Sequence, residues 1–272
     1  MNRLAVIMSI YKNDRTDFVN QSVNSILKQD FKNFDFYIQF DGPINQDLDE
    51  YLSSINDDRL IIRKRSDNKG LAISLNELLN EVLPKGYEYI ARMDSDDIAF
   101  SDRFQKQIDY LDEHQDVDVL GGAINEIDEQ GNDRNKIIRY PLTNEECRSF
   151  FAKRNPVAHP SVMFRKSFFS KTGCLYPTEY VRNEDTALWL EGFKHGAIMA
   201  NIPDVILNLR ITQALFTQRR RGKDIAGSQL KLRKKINKEL EYGIISYIYA
   251  YAMYILMNLP PCVMKLAYKV LR

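Results

Sequence analysis

Tyr89-Ile90-Ala91-Arg92-Met93-Asp94-Ser95-Asp96-Asp97 reads as a buried strand that runs out into three carboxylates within four residues. Like charges this close repel, and burying them is costly unless a cation or fixed donors compensate. A hard divalent ion compensates well: it takes one or two carboxylates and completes its shell with water and phosphate oxygens. Asp94-Ser95-Asp96 has that form, with alternate acids at a strand end and a small residue between. Asp is also common at turns and helix N-caps, so a solvated acidic turn ahead of a helix near Arg103 is the competing reading.

Upstream, Leu4 to Ile10 is a continuous apolar run, as expected of a strand covered on both faces. Thr16 or Asp17 is a candidate cap for a helix that buries Phe18, Val19, Val23 and Ile26. Phe36 to Phe40 predicts a second strand ending at Asp41-Gly42-Pro43, then a helix over Gln46 to Ser54, a strand at Leu60 to Ile62 and a helix over Leu71 to Val82. Strand and helix alternate four times, which argues a parallel sheet with right-handed crossovers. Ligands of such sheets bind at the carboxyl ends of the strands. Ser9, Tyr11, Asp41, Lys69, Asp94 and Asp96 all fall just past strand ends, so they are expected on one edge.

Downstream, Arg103 to His114 reads as a helix, and Val117 to Gly121 as a strand closed by a bend at Gly121-Gly122. Ala123 to Asp128 and Lys136 to Tyr140 form a hairpin around Gly131, and Asn144 to Phe151 is helical. His159 sits in a stiff loop between Pro156 and Pro160, either as a structural residue or as a substrate contact. Glu184 and Asp185 open an amphipathic helix through Trp189, either as first-turn anions or as a general base. Ala197 to Asn201 and Val205 to Arg210 are expected as two closing strands.

The charge is uneven. Val205 to Arg272 holds 13 basic and 3 acidic residues, a local +10, which leaves −9 on the rest. An acidic body with a basic tail predicts an anionic surface as its neighbour. Arg219-Arg220-Arg221 can neutralise phosphate charge if it folds over the pocket. Tyr242 to Met264 carries no charge and five tyrosines, and Pro260-Pro261 cuts it. That composition favours an in-plane helix on an anionic leaflet over a spanning one. A helical hairpin packed on the body, or on a second copy as a homodimer, is the alternative. Three scattered cysteines give no disulfide framework, so a reducing compartment is expected, and the N-terminus does not read as a signal peptide.

Taken in order, Val6 to Asp14, Gln39 to Pro43, Asn68 to Leu71, Met93 to Asp97, Asn155 to Pro160 and Asn183 to Asp185 resemble the inverting nucleotide-sugar glycosyltransferases of family 2, of the bacterial O-antigen, capsule and exopolysaccharide type. The resemblance covers about Leu4 to Arg210. Asp41-Gly42-Pro43 stands where the family more often has Asp-Asp-Gly-Ser. It implies a GT-A fold: a Rossmann-like, mostly parallel sheet flanked by helices over residues 1–210, with a nucleotide-binding half (1–100) and an acceptor half (101–210), and a helical membrane-associating extension over 211–272.

It further implies that Ser9, Tyr11, Asp41 and Lys69 hold the nucleoside. Asp94 touches the ribose or the metal shell, Asp96 ligates Mg²⁺ or Mn²⁺, and Asp185 is the base with Glu184 beside it. Arg219, Arg220 and Arg221 clamp the leaving diphosphate as an extension of that picture. Asp97, Arg103, His159 and Trp189 are expected around the sugar and acceptor pocket. The partners implied are a UDP-sugar donor, a lipid-linked oligosaccharide acceptor and an anionic membrane surface at the cytoplasmic face of the inner membrane, with no nucleic acid. Two other readings stay open. A sugar nucleotidyltransferase would show a Gly-rich loop after the first strand, and Ile10 to Thr16 contains no glycine. A basic-tailed binding protein leaves the strand-end carboxylates unexplained.

Overall fold

The computed structural model describes residues 3–180, 182–212 and 223–259. Its centre is a mixed sheet in the order β3-β2-β1-β4-β8-β6-β9-β5, with β7 paired to β6. β1 (Leu4–Ile10), β2 (Phe34–Phe40), β3 (Leu60–Lys64) and β4 (Tyr89–Arg92) are parallel neighbours. The chain then reverses sense. β8 (Met163–Arg165) lies antiparallel to both β4 and β6 (Val119–Ile127), and β9 (Met199–Arg210) runs parallel to β6. β5 (Ile98–Ala99) pairs antiparallel with β9, and β7 (Asp133–Ile138) closes the expected hairpin.

Alternation along β1 shows how this sequence makes two cores. Leu4, Val6, Met8 and Ile10 face one layer with α1 (Thr16–Leu27), α2 (Gln46–Ser54) and α4 (Arg103–Glu113). Ala5 and Ile7 face the other, with α3 (Leu71–Val82), α5 (Asn144–Phe151), α6 (Ser167–Thr172), α7 (Glu184–Lys194) and α8 (Lys223–Glu239). A strand with period-two side chains and apolar residues at all positions but Ser9 must be covered on both faces, and it is. α9 (Ile244–Asn258) packs on α8. None of the described helices is long and apolar enough to cross a membrane.

Three local expectations change. Arg15, not Thr16 or Asp17, is the N-cap of α1, and the Asp17 carboxylate is taken up by the Arg15 guanidinium at 2.6 Å. Gly121-Gly122 does not end a strand, because β6 runs through it. The glycines permit close approach instead: a Cβ at Gly121 would lie 2.2 Å from Asn201 Oδ1, and one at Gly122 would lie 2.7 Å from Ile206 Cδ1. The two closing strands are one, β9. Register slips against β6 at Gly122/Ala123 and Ala123/Ile124 leave Pro203 and Asp204 exposed.

Asn201 Nδ2 donates to Pro141 O at 2.7 Å and to Pro156 O at 3.0 Å, bracing the loop that carries Asn155 to His159. Gly121→Ala therefore displaces a hydrogen-bonded brace. It is expected to cost about 1–3 kcal/mol of stability, read as a lower urea midpoint at unchanged m-value.

Candidate active site

The acid turn leaves β4 between β1 and β8. Arg92 ends the strand 1% exposed and pairs with Asp94. Carboxylate oxygens of Asp94, Asp96 and Asp97 all lie within 4.8 Å of one another. Asp97 is buried; its Oδ1 accepts from the Arg210 backbone N–H at 2.8 Å, and its Oδ2 has no partner among the described residues. Burial, then Asp96 and Asp94, pushes the Asp97 carboxyl well above the usual range. Three clustered acids, one with an orphaned buried oxygen, form a donor set that fits a hard divalent cation.

The turn is held from several sides. Ser22 Oγ donates to Asp94 O at 2.7 Å, and Arg210 Nε to Asp96 O at 2.9 Å. Asp14 Oδ2 accepts from Tyr11 N at 3.0 Å and from Ser95 Oγ at 3.1 Å, tying the loop after β1 to the acid turn. Neither Asp14 nor Arg210 stood out in the sequence as a site residue. Asp14 follows an ordinary polar loop, and Arg210 ends a strand far along the chain.

Ser9 and Tyr11 are partly exposed at the end of β1. Asp41 is buried, and its carboxylate accepts from Lys69 N at 2.7 Å and Gly70 N at 2.9 Å while pairing with Arg65. Arg65 also reaches Glu77 at 2.7 Å and Ser74 Oγ at 3.0 Å. Asp41 thus shapes the Asn68-Lys69-Gly70 loop, with Gly70 at φ +94°, and the Lys69 side chain is left exposed.

Glu184 and Asp185 open α7. Asp185 Oδ1 accepts from Thr186 N at 2.6 Å, and Oδ2 from Asn155 Nδ2 at 2.8 Å. Burial raises the Asp185 carboxyl. Burial also pushes Glu184 up to about 7, with Asp185 adding to the rise and Arg92 opposing it. Arg92 acts on Asp97, Glu184 and Asp185 alike, so the acid turn and the α7 terminus share one electrostatic neighbourhood.

Behind this neighbourhood the remaining predicted residues are buried. His159 Nε2 meets Tyr176 Oη at 2.8 Å, and burial drives the imidazole well below its ordinary pKa. Trp189 is wholly buried between His159 and Phe164. Arg103 is wholly buried too; Nη2 donates to Arg92 O at 2.9 Å, and burial lowers its pKa to about 9. Trp189 and Arg103 support the site from the core rather than open onto it. Arg219, Arg220 and Arg221 lie outside the described residues.

A cavity of about 620 Å³ opens on the other side of Asp185, between the β6–β7 hairpin, the Asn155–Pro160 loop, α7, α8 and α9. Asp185 and His159 line it with Arg139, Lys153, Arg154, Arg182 and Arg233, and α8 and α9 add Ile225, Leu230, Met253, Tyr254 and Met257.

Comparison with known proteins agrees with this geometry. The profile of Glycosyl transferase family 2 matches residues 5–173. The amylovoran biosynthesis glycosyltransferase AmsE of Erwinia amylovora is 32% identical over 79% of this chain and 79% of its own. The UDP-Gal:alpha-D-GlcNAc-diphosphoundecaprenol beta-1,3-galactosyltransferase of Escherichia coli is 30% identical over 81% of this chain and 78% of its own. Among solved structures, S. aureus TarS 1-349 in complex with UDP-GlcNAc superposes with a TM-score of 0.66 at 16% identity, over 97% of this chain and 83% of that one. This chain covers 43% of the longer TarS chain. The mannosyltransferase PcManGT of Pyrobaculum calidifontis, in complex with GDP-Man and Mn2+, superposes with a TM-score of 0.62 at 14% identity, over 99% and 80%. These last likenesses concern the fold. With the ordered motifs, the strand-end acids and the α7 carboxylates on one scaffold, the chain belongs to Glycosyl transferase family 2 and is a glycosyltransferase.

Proposed function

We propose that this glycosyltransferase moves a sugar, with inversion, from a nucleoside-diphosphate donor to a hydroxyl of a lipid-linked glycan in bacterial surface polysaccharide synthesis. The observation that carries the reading is the shared neighbourhood of the acid turn and Asp185 across buried Arg92. Asp94 and Asp96 would hold Mg²⁺ or Mn²⁺, which neutralises charge on the departing diphosphate. Ser9, Tyr11, Asp41 and Lys69 hold the nucleoside end, Asp41 by fixing the loop that presents Lys69. Arg219 to Arg221 clamp the diphosphate.

Asp185 takes the proton of the acceptor hydroxyl. It is the better base of the adjacent pair because it lines the cavity and two N–H donors hold its oxygens in place. Burial, with the Asp185 charge beside it, pushes Glu184 up to about 7, so Glu184 holds its proton to higher pH than an ordinary carboxyl. In-line attack on an α-linked donor gives a β-linkage, and an activated diphosphate leaving group needs no acid, unlike the facing carboxyl pair of a glycosidase.

UDP is the favoured nucleotide, supported by what the E. coli relative's name states and by the ligand of the TarS complex. The cavity supports a lipid diphosphate acceptor, because its rim is cationic and its wall apolar. Residues 1–210 would form the catalytic domain, split near residue 100, and 211–272 the extension. On α9, Ile244 and Ile245 are 72% and 69% exposed, and Ile248, Tyr251 and Ile255 continue the stripe. That face, beside the lysines of α8, would dock the enzyme on an anionic leaflet at the cytoplasmic side of the inner membrane. A homodimer through the same face is the alternative.

Asp96→Ala and Asp185→Ala should each cut sugar transfer by about a thousandfold or more, with thermal unfolding near wild type; normal turnover in Asp185→Ala would move the base to Glu184. A thermal-shift screen of nucleoside diphosphates and UDP-sugars should give a Mn²⁺-dependent rise with one nucleotide, which EDTA removes. Glu184 has its carboxyl raised in the folded state, so its favourable contribution is complete below the ordinary carboxyl range and is lost as pH rises through about 7. Glu184→Gln should therefore gain about 2–3 kcal/mol on wild type between pH 5 and pH 8, read by urea unfolding in EDTA. Ile248→Glu with Ile255→Glu should abolish co-sedimentation with phosphatidylglycerol vesicles; undiminished binding would reject the α9 face.

A further inference from the structure

Asp185 is not held by its own helix alone. Its second oxygen depends on the Asn155 amide, and an amide has two chemically different ends. With Nδ2 toward Asp185, Asn155 donates to the carboxylate. Flipped, it would set a carbonyl oxygen against that carboxylate and favour its protonated form. What contacts Asn155 Oδ1 therefore decides the state of Asp185. Thr186 Oγ1 lies 2.9 Å from it, but a hydroxyl both donates and accepts and tolerates either orientation. Arg233 Nη2 lies 3.4 Å from it, and a guanidinium only donates. Arg233 breaks the tie.

Arg233 is well placed to impose this. It comes from α8, is 7% exposed, and is anchored by Nη1 donating to Phe151 O at 2.8 Å, with its guanidinium 5.4 Å from the Phe151 ring centre. We propose that Arg233 is a positioning residue for the catalytic base: by donating to Asn155 Oδ1 it turns the amide N–H toward Asp185 and keeps that carboxylate ionised and oriented in the cavity. The proposal rests on Asp185 being the base. It makes α8 part of the catalytic unit, because the base is correctly set only while α8 is seated against α5 and α7. Other charged or titratable groups also face Asp185: Glu184 on α7, Arg92 on β4 and Tyr176 in the segment before α7. Arg154 and Arg182 stand on the cavity wall. All of these stay in place in the variants below.

The Thr186 amide donates to Asp185 Oδ1, so its proton shift reports the titration of Asp185 in full-length ¹⁵N-labelled protein. Arg233→Gln should move that midpoint up by about half a pH unit or more, and Arg233→Lys, which still only donates, should restore most of the difference. Asn155→Ala should raise the midpoint as well, and Arg233→Gln in the Asn155→Ala background should add little, because the relay is already cut. A direct effect of the Arg233 charge would instead persist undiminished in that background and overturn the relay. So would a lowered melting temperature with an unmoved titration. Should Arg233→Gln not fold, Asn155→Ala alone tests the relay, because an unmoved midpoint there overturns it. UDP release from UDP-galactose, UDP-glucose and UDP-N-acetylglucosamine with Mn²⁺ separates the two levels. An inactive Asp185→Asn with no shift in Arg233→Gln overturns the positioning role alone, whereas an active Asp185→Asn overturns the base and the positioning role together.

Discussion

Arg92 stands almost without water at the end of a central strand, and the carboxylates of the site are arranged about it. It pairs with Asp94 and acts on Asp97, Glu184 and Asp185, while Asp96 lies in the same acid cluster. Arg210 lies against the acid turn and Arg233 beside Asp185, yet the five carboxylates still outnumber the guanidinium groups around them and leave an excess of negative charge in a poorly solvated place. Proteins relieve such an excess by protonation, by fixed donors or by a bound cation. The first two have their counterparts here: the raised carboxyls of Asp97 and Glu184, and the N–H donors on Asp97 and Asp185. The third is what Asp94 and Asp96 are suited to accept. Nε and Nη1 of Arg92 have no partner among the described residues, so the guanidinium has capacity beyond Asp94.

This balance explains the framework around it. Arg103 is a second buried guanidinium that braces the backbone of Arg92 and Val162 rather than a substrate. Its lowered pKa records the desolvation that the packing imposes. Arg210 brings the end of β9 against the acid turn and also reaches Gln21 at 2.6 Å, locking α1 to the far half of the sheet. The site is therefore assembled from both halves of the chain, and the reversal of strand direction after β4 makes the second half reach the carboxyl ends of the first.

Much of this was legible in local pattern. Leu4–Ile10, Gln46–Ser54, Leu71–Val82 and Asn144–Phe151 fall where periodicity places them, because propensity, apolar spacing and turn chemistry agree there. α5 also carries a capping box of Thr143 with Glu146. The long-range contacts were not legible. An arginine at the first turn of an amphipathic helix looks solvated, and nothing near Arg103 announces the free carbonyls that receive it. Gly121-Gly122 looks like a break, and only Asn201 and Ile206, some eighty residues on, reveal it as a close approach. The acids at 94, 96, 184 and 185 were readable as chemistry; the cation that joins them was readable only as a strand residue.

The division of labour along the chain follows from the same physics. Donor chemistry is generic, since every nucleoside diphosphate presents the same charges, and on the proposed reading it would sit on the first four strands and their loops. Acceptor chemistry is particular, and the cavity that would meet it is shared between segments within the family profile and α7, α8 and α9 beyond it. α9 has apolar side chains on two faces. Ala250 and Met257 turn inward to the cavity, and Ile248 and Ile255 turn outward to solvent. A helix of that kind forms a thin wall between a docking surface and a reaction chamber. An acceptor with an apolar tail and an anionic head would then meet apolar wall, cationic rim and Asp185 in succession without leaving the interface. On the proposed reading, substitutions in these last helices would alter the acceptor and leave the acid turn and the loops of the first four strands untouched.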